Sequence, residues 1–205
     1  MLDNFHFHKK LKNEILASSS TVLDLGSGKE SPIKDFSKKL KYSLGVDNYL
    51  PYIEQSKKLK IHNKYLYSDI LRACKDMSDN SFDCVIALDV IEHLNKENGK
   101  KLMKEMERIA RKETIIYTPN KFLSQKKFDG NIKQEHLSGW SVNDMKRVGY
   151  KVFGMSGFKF LRGGKGEVRY KPNFLWQKIS SATQIVSYFF PITAFQLFCV
   201  KKINQ

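Results

Sequence analysis

Apolar residues fall along this chain in two alternating patterns. Short runs rich in Val, Ile, Leu and Tyr are separated by longer stretches in which apolar positions recur every three or four residues. The short runs predict buried strands at 21–25 (TVLDL), 42–47 (YSLGVD), 64–69 (KYLYSD), 82–89 (FDCVIALD), 113–119 (ETIIYTP), 151–161 and 193–202. The longer stretches predict helices at 31–40, 50–59, 71–75, 95–112, 141–150 and 174–189. Over 95–112, Leu102, Met106, Ile109 and Ala110 share one helical face. Ser141 offers a cap for its helix and Gly149 an end. Strand and helix in alternation argue for an α/β fold with a parallel sheet. No repeat or linker interrupts the chain, so one domain is expected over 1–205, with acceptor-side loops at 120–139 and 161–192 and an N-terminal helix over 1–18.

Composition refines this picture in three ways. A formal charge of +15 biases the chain toward anionic partners: nucleic acid, phosphorylated metabolites or an acidic membrane surface. Its lysines are scattered, which reads as a solvated surface rather than a dedicated stripe. Cys74, Cys84 and Cys199 form no metal or redox motif, which suits reduced thiols in a cytoplasmic protein. The charged N-terminus does not read as a signal peptide. The most apolar stretch, 185–200, has 16 residues and contains Pro191. A spanning helix needs about 20 apolar residues, so no transmembrane segment is expected. Peripheral contact between the aromatic segment 185–198 and lipid stays open.

Candidate chemistry begins at Gly26-Ser27-Gly28, a glycine turn directly after the first strand. In an open α/β sheet, ligands bind beyond the carboxyl ends of the strands, and glycine lets the backbone approach them. The third small position of a dinucleotide fingerprint is Ser31 here, a weak match. Asp24 and Glu30 bracket the turn. Carboxylates repel a pyrophosphate but attract an ammonium or sulfonium group. Asp47 ends the second strand, where it can accept both hydroxyls of a ribose. Asp69 ends the third, where it can meet an adenine amino group, with Ile70 packing on the ring. Asp89 ends the fourth. Each alone reads as a helix cap; four along one edge suit a cationic nucleoside ligand.

The motifs VLDLGSGKES, GVDNYLPYIEQSKK, SDI, FDCVIALDVIEHL and IIYTPN, in this order, resemble those of class I S-adenosylmethionine-dependent methyltransferases. They are closest to the small-molecule branch that includes quinone-pathway enzymes, and the resemblance covers roughly residues 18–120. It implies a Rossmann-like three-layer sandwich, with a seven-stranded, mostly parallel sheet and an antiparallel last strand. It implies S-adenosyl-L-methionine as cofactor, held by Asp24, Gly26, Ser27, Gly28, Asp47, Asn48, Asp69, Ile70, Leu88 and Asp89. Gly26 and Gly28 would line the methionine portion, and Leu88 and Asp89 would border the transferred methyl. The first helix, with Phe5, would close over the site.

His93 and His136 are the candidate general bases for methylation at oxygen; each also has an ordinary reading, His93 as a helix cap and His136 as a surface residue. Trp140 either stacks on an acceptor or anchors the next helix. Asp89-x-x-Glu92-His93 resembles a metal-holding motif of some quinone-pathway O-methyltransferases. With Asp in the first position and no fourth ligand in view, no metal is expected. Arg162, Lys165, Arg169 and Lys171 form a basic loop that would overhang the site; one reading has it grip a phosphate, carboxylate or sugar nucleotide, the other makes it a mobile surface loop. The expected function is O-methylation of a small-molecule or saccharide-type acceptor. The alternatives are an RNA or other nucleic-acid methyltransferase and a non-catalytic methyltransferase-like scaffold.

Overall fold

A computed structural model describes residues 2–125, 134–163 and 166–203, with side chains from His6 onward. Seven strands, β1 (Thr21–Leu25), β2 (Tyr42–Asp47), β3 (Lys64–Tyr67), β4 (Phe82–Leu88), β5 (Ala110–Pro119), β6 (Lys151–Phe158) and β7 (Ala194–Lys202), form one sheet in the order β3-β2-β1-β4-β5-β7-β6. The pairs among β1 to β5 are parallel. β7 inserts antiparallel between β5 and β6. The chain reverses its winding between β1 and β4, so a crevice opens beyond their carboxyl ends.

Each central strand feeds both faces. Leu23, Leu25, Val85 and Ala87 pack under α3 (Ile70–Lys75), α4 (Lys96–Ile109) and α5 (Val142–Arg147). Val22, Cys84, Ile86 and Leu88 pack on the other side under Phe7, Leu11 and Ile15 of α1 (Leu2–Ser18). Helices α2 (Leu50–Lys58), α6 (Asn173–Ala182) and α7 (Gln184–Phe189) complete the layers.

Several boundaries differ from the sequence expectation. Residues 31–40 form two short 3-10 turns, Pro32–Asp35 and Ser37–Lys39, rather than an α-helix. Phe36 between them turns to φ −141°, which lets both Ile33 and Phe36 reach the core. The helix expected over 95–112 ends at Ile109, because pairing of Ala110 with Phe82 draws the chain into β5. β6 stops at Phe158 after a bulge in which Ser156 and Gly157 take positive φ. The helix expected over 174–189 divides at Thr183.

Asp83 fixes the start of β4 against β1. Its carboxylate accepts the Ser20 N–H and hydroxyl, both at 2.9 Å, and the Thr21 N–H at 3.2 Å, and it pairs with Arg111 at 3.1 Å. Burial alone would raise its pKa; the hydrogen bonds from Ser20 and Thr21 and the nearby Lys112 outweigh burial and hold it at about 2. A depressed carboxyl stabilises the fold above the unfolded pKa and loses that contribution as pH falls through the folded value. Asp83→Asn is therefore expected to cost about 2 kcal/mol at pH 7. In urea unfolding compared across pH, the gap to wild type should close progressively from pH ~4 to pH ~2.

Candidate active site

One glycine turn sets the floor of the crevice. Gly26 and Gly28 take φ +72° and +60°. A Cβ on Gly26 would strike Val90 at 2.5 Å, whereas one on Gly28 would meet nothing within 4 Å and would project into open space. The N–H groups of Gly26 and Ser27 both donate to Val46 O, which locks the turn to β2. Beyond it lies a cavity of about 370 Å³.

Of the residues expected there, Gly26, Gly28, Asp47, Asn48, Asp69, Ile70, Asp89 and His93 line this cavity. Asp47 accepts the Gly28 N–H at 2.9 Å and the Tyr49 N–H at 2.9 Å, and burial raises its carboxyl pKa despite those bonds. Asp69 caps α3 through the Leu71 and Arg72 N–H groups. Asp89, in left-handed conformation at φ +52°, opens onto the cavity, yet the surrounding protein crowds out much of its water and raises its carboxyl pKa.

Asp24, Ser27, Leu88 and His136 do not line it. Leu88 belongs to the core on the α1 side. Asp24 is buried beneath the glycine turn, where it accepts the Ser31 hydroxyl at 2.5 Å and pairs with His62 Nε2 at 2.9 Å. Both of these hydrogen bonds are made inside the protein, so the direct role expected for it toward a ligand's ammonium does not follow from its position. His62 was not singled out from the sequence. Its signal was Gly45, a glycine inside a strand that marks close approach: a Cβ there would sit 2.8 Å from the His62 ring.

The opposite cavity wall depends on residues 136–140 being fastened to 91–92. Leu137 and Ser138 N–H groups donate to Glu92 O at 2.8 and 3.0 Å. The Ser138 hydroxyl and Trp140 Nε1 both donate to Ile91 O at 3.2 Å. Trp140 is 1% exposed against Gly99, so it anchors this segment and offers no stacking surface. The result brings His136 onto His93, ring centroids 4.9 Å apart, with Gln134, Glu135 and Leu137 completing the cavity wall.

The protonation of both rings is set by their partners. His93 Nδ1 contacts Glu135 O at 3.1 Å and His136 Nδ1 contacts Leu123 O at 2.6 Å. A carbonyl only accepts, so each Nδ1 carries the proton. Burial lowers both imidazole pKa values, against the pull of those carbonyls. Each ring is then neutral near pH 7 with a lone pair on Nε2. Glu92 is 2% exposed and accepts the Thr118 hydroxyl at 3.1 Å; burial and the Asp89 charge push its pKa well up. One donor atom from each of Glu92, His93 and His136 lies within 4.8 Å of the others. The cluster thus takes His136 from across the fold in place of the motif's Asp89, and it remains a set of three. Carboxylate plus two imidazoles with fixed tautomers suits a divalent transition metal.

Within the basic loop, Arg162 is engaged by the protein's own groups. Arg162 is buried and donates to Ser156 O, Gly166 O and the Ser180 hydroxyl. Among the described residues, none of 161–192 lines the cavity. Lys165 and the Phe5 side chain lie outside the described residues. Removing His62 leaves the buried Asp24 carboxylate without one of its two side-chain hydrogen-bond partners, so His62→Ala is expected to lower the unfolding free energy by about 3 kcal/mol in urea denaturation.

Residues 23–118 match the methyltransferase domain family model. No curated protein matches the chain. Solved structures with the same fold include a SAM-dependent methyltransferase from Archaeoglobus fulgidus, with 16% identity, a TM-score of 0.61, and coverage of 96% of this chain and 92% of that one. Magnesium protoporphyrin IX methyltransferase from Synechocystis shares 10% identity with a TM-score of 0.55, over 97% of this chain and 79% of that one. Haemonchus contortus phosphoethanolamine N-methyltransferase 2 shares 14% with a TM-score of 0.61, over 98% and 53%. The glycine turn, the strand order and the match over residues 23–118 agree on a methyltransferase domain, carried on the fold these solved structures share.

Proposed function

We propose that the chain transfers a methyl group from S-adenosylmethionine to a hydroxyl of a small-molecule or saccharide-type acceptor. The observation that carries this reading is the division of one cavity into two chemistries: glycines and Asp47, Asp69 and Ile70 at one end, His93 and the neighbouring Glu92–His136 pair at the other. In this reading the methionine portion lies over Gly26 and Gly28. Asp47 accepts the ribose hydroxyls, and Asp69 with Ile70 frames the adenine. Asp89 sits beside the sulfonium, where a carboxylate is favourable.

The acceptor oxygen attacks the methyl carbon as the carbon–sulfur bond breaks and its electron pair passes to sulfur. The hydroxyl proton goes to the Nε2 lone pair of His93, which His136 holds in place. Alignment of the reacting groups supplies up to about 7–11 kcal/mol of the barrier lowering. The base adds roughly 10²–10⁴-fold.

A second reading is favoured by Glu92, a buried carboxylate beside another acid with no cation among its described partners. Here Glu92, His93 and His136 hold a divalent cation, whose chemistry would be to lower the pKa of the acceptor hydroxyl. The two readings part on one assay: EDTA-treated protein keeps its activity in the first and loses it, with recovery on added divalent metal, in the second. The charge of +15 favours an anionic acceptor, and RNA belongs beside phosphorylated sugars in the acceptor panel.

Calorimetry should give 1:1 binding of S-adenosylhomocysteine, weakened at least about tenfold by Asp47→Ala, since two hydrogen bonds to a charged group are lost. His93→Ala should lower methyl transfer by roughly 10²-fold while leaving that binding unchanged. Because burial lowers the imidazole pKa, the acidic limb of kcat/KM should lie below pH ~6.5. A limb at or above that value would contradict a neutral, buried base.

A further inference from the structure

Helices α6 and α7 are built inside out. The positions facing the sheet are small and polar: Ser180, Gln184 and Ser187 are buried, four and three residues apart, on one helical face. The Gln184 side chain accepts the Gly157 N–H at 3.1 Å and donates to Gly154 O at 3.0 Å, and Thr183 Oγ1 accepts the Phe158 N–H at 3.0 Å. Gly154 and Gly157 permit this approach, since a Cβ on either would lie 2.0 Å from Ser187 O or 2.4 Å from Ser180 O. The helices are therefore held to β6 by hydrogen bonds and close backbone packing.

The apolar residues face outward instead. Ile185 is 70% exposed, Phe189 71%, Phe190 63% and Ile192 62%, and Phe174, Leu175 and Val186 are exposed with them. Isolated apolar residues on a surface need no explanation, but a continuous face of this kind marks an interaction site. Its charge indicates with what. Between Val168 and Ile192 the sequence has Arg169, Lys171 and Lys178 and no Asp or Glu. Arg169, Lys171 and Lys178 are exposed, and Lys178 belongs to α6 itself. A second copy would bring like charges together across a symmetric contact. An anionic bilayer answers both the apolar face and its cations, as in amphipathic helices that lie in the interface plane. Tyr170 and Trp176, with ring centroids 4.8 Å apart, add the amphipathic aromatics suited to the headgroup layer.

We propose that the outward face of α6 and α7, with the turn at 190–192, docks the protein on an anionic lipid bilayer. The face is fixed to the catalytic edge. Asn120, just past β5, donates its side-chain amide to Pro191 O, Ile192 O and Ala194 O at 3.2, 3.1 and 2.8 Å. The turn thus stands at the same sheet edge as the cavity, and docking brings that edge to the membrane surface, where a lipid-linked acceptor is reached. No helix among the described residues is long and apolar enough to cross a membrane, so the contact is peripheral.

Flotation of the full chain with liposomes tests this. Binding is expected to vesicles of phosphatidylglycerol and phosphatidylcholine, to fall with added salt, and to be weak on phosphatidylcholine alone. Lys171→Gln and Lys178→Gln should each weaken it roughly fivefold, and Phe189→Ser by about tenfold or more. These side chains are exposed, so far-ultraviolet circular dichroism and affinity for S-adenosylhomocysteine should stay as in wild type. Equal binding to both vesicle types, or variants that bind as wild type, would overturn the proposal. So would a dimer in sedimentation velocity that Phe189→Ser dissociates, since a second copy would then cover the face.

Discussion

The site rests on the buried pair of Asp24 and His62. One carboxylate, held between the Ser31 hydroxyl and the His62 ring, ties the end of β1 to the segment after it and to the approach to β3. Directly above, the glycine turn bends at positive φ and hangs from Val46 O. Without a fixed base, the N–H of Gly28 would not meet Asp47, and the strand-end acids would not converge. The pair also sorts the acids by role. Asp24 is hydrogen-bonded within the protein, while Asp47, Asp69 and Asp89 line the cavity.

A second constraint acts on the opposite wall. The chain leaves β5 and returns as residues 134–140, which hydrogen-bond to the backbone of Ile91 and Glu92. That fastening turns two histidines far apart in sequence into neighbours with matched tautomers. Burial acts here in opposite senses: it raises the carboxyl of Glu92 and lowers the imidazoles of His93 and His136. Such divergence between adjacent groups is characteristic of functional sites.

Much of this was legible in the linear chain because it is local. TVLDL and YSLGVD are short, β-rich and bounded by turn residues, and they fold as read. The seven-stranded order with its antiparallel insertion agrees with the motif order. Failures came where distant contacts decide. Residues 31–40 have a helical spacing, but the core takes both Ile33 and Phe36 and breaks the helix between them. His62 speaks only through Gly45, on another strand. The contact between His136 and His93 needs a long return that periodicity does not encode, and the inverted α6–α7 face needs knowledge of which side meets β6.

The most direct measurement is a crystal structure of the chain with bound S-adenosylhomocysteine. The account requires the ribose hydroxyls on Asp47, the adenine beside Asp69 and Ile70, and the sulfur facing Asp89 and His93. A ligand lying in reverse, with its adenine against His93, or seated away from the glycine turn, would contradict it.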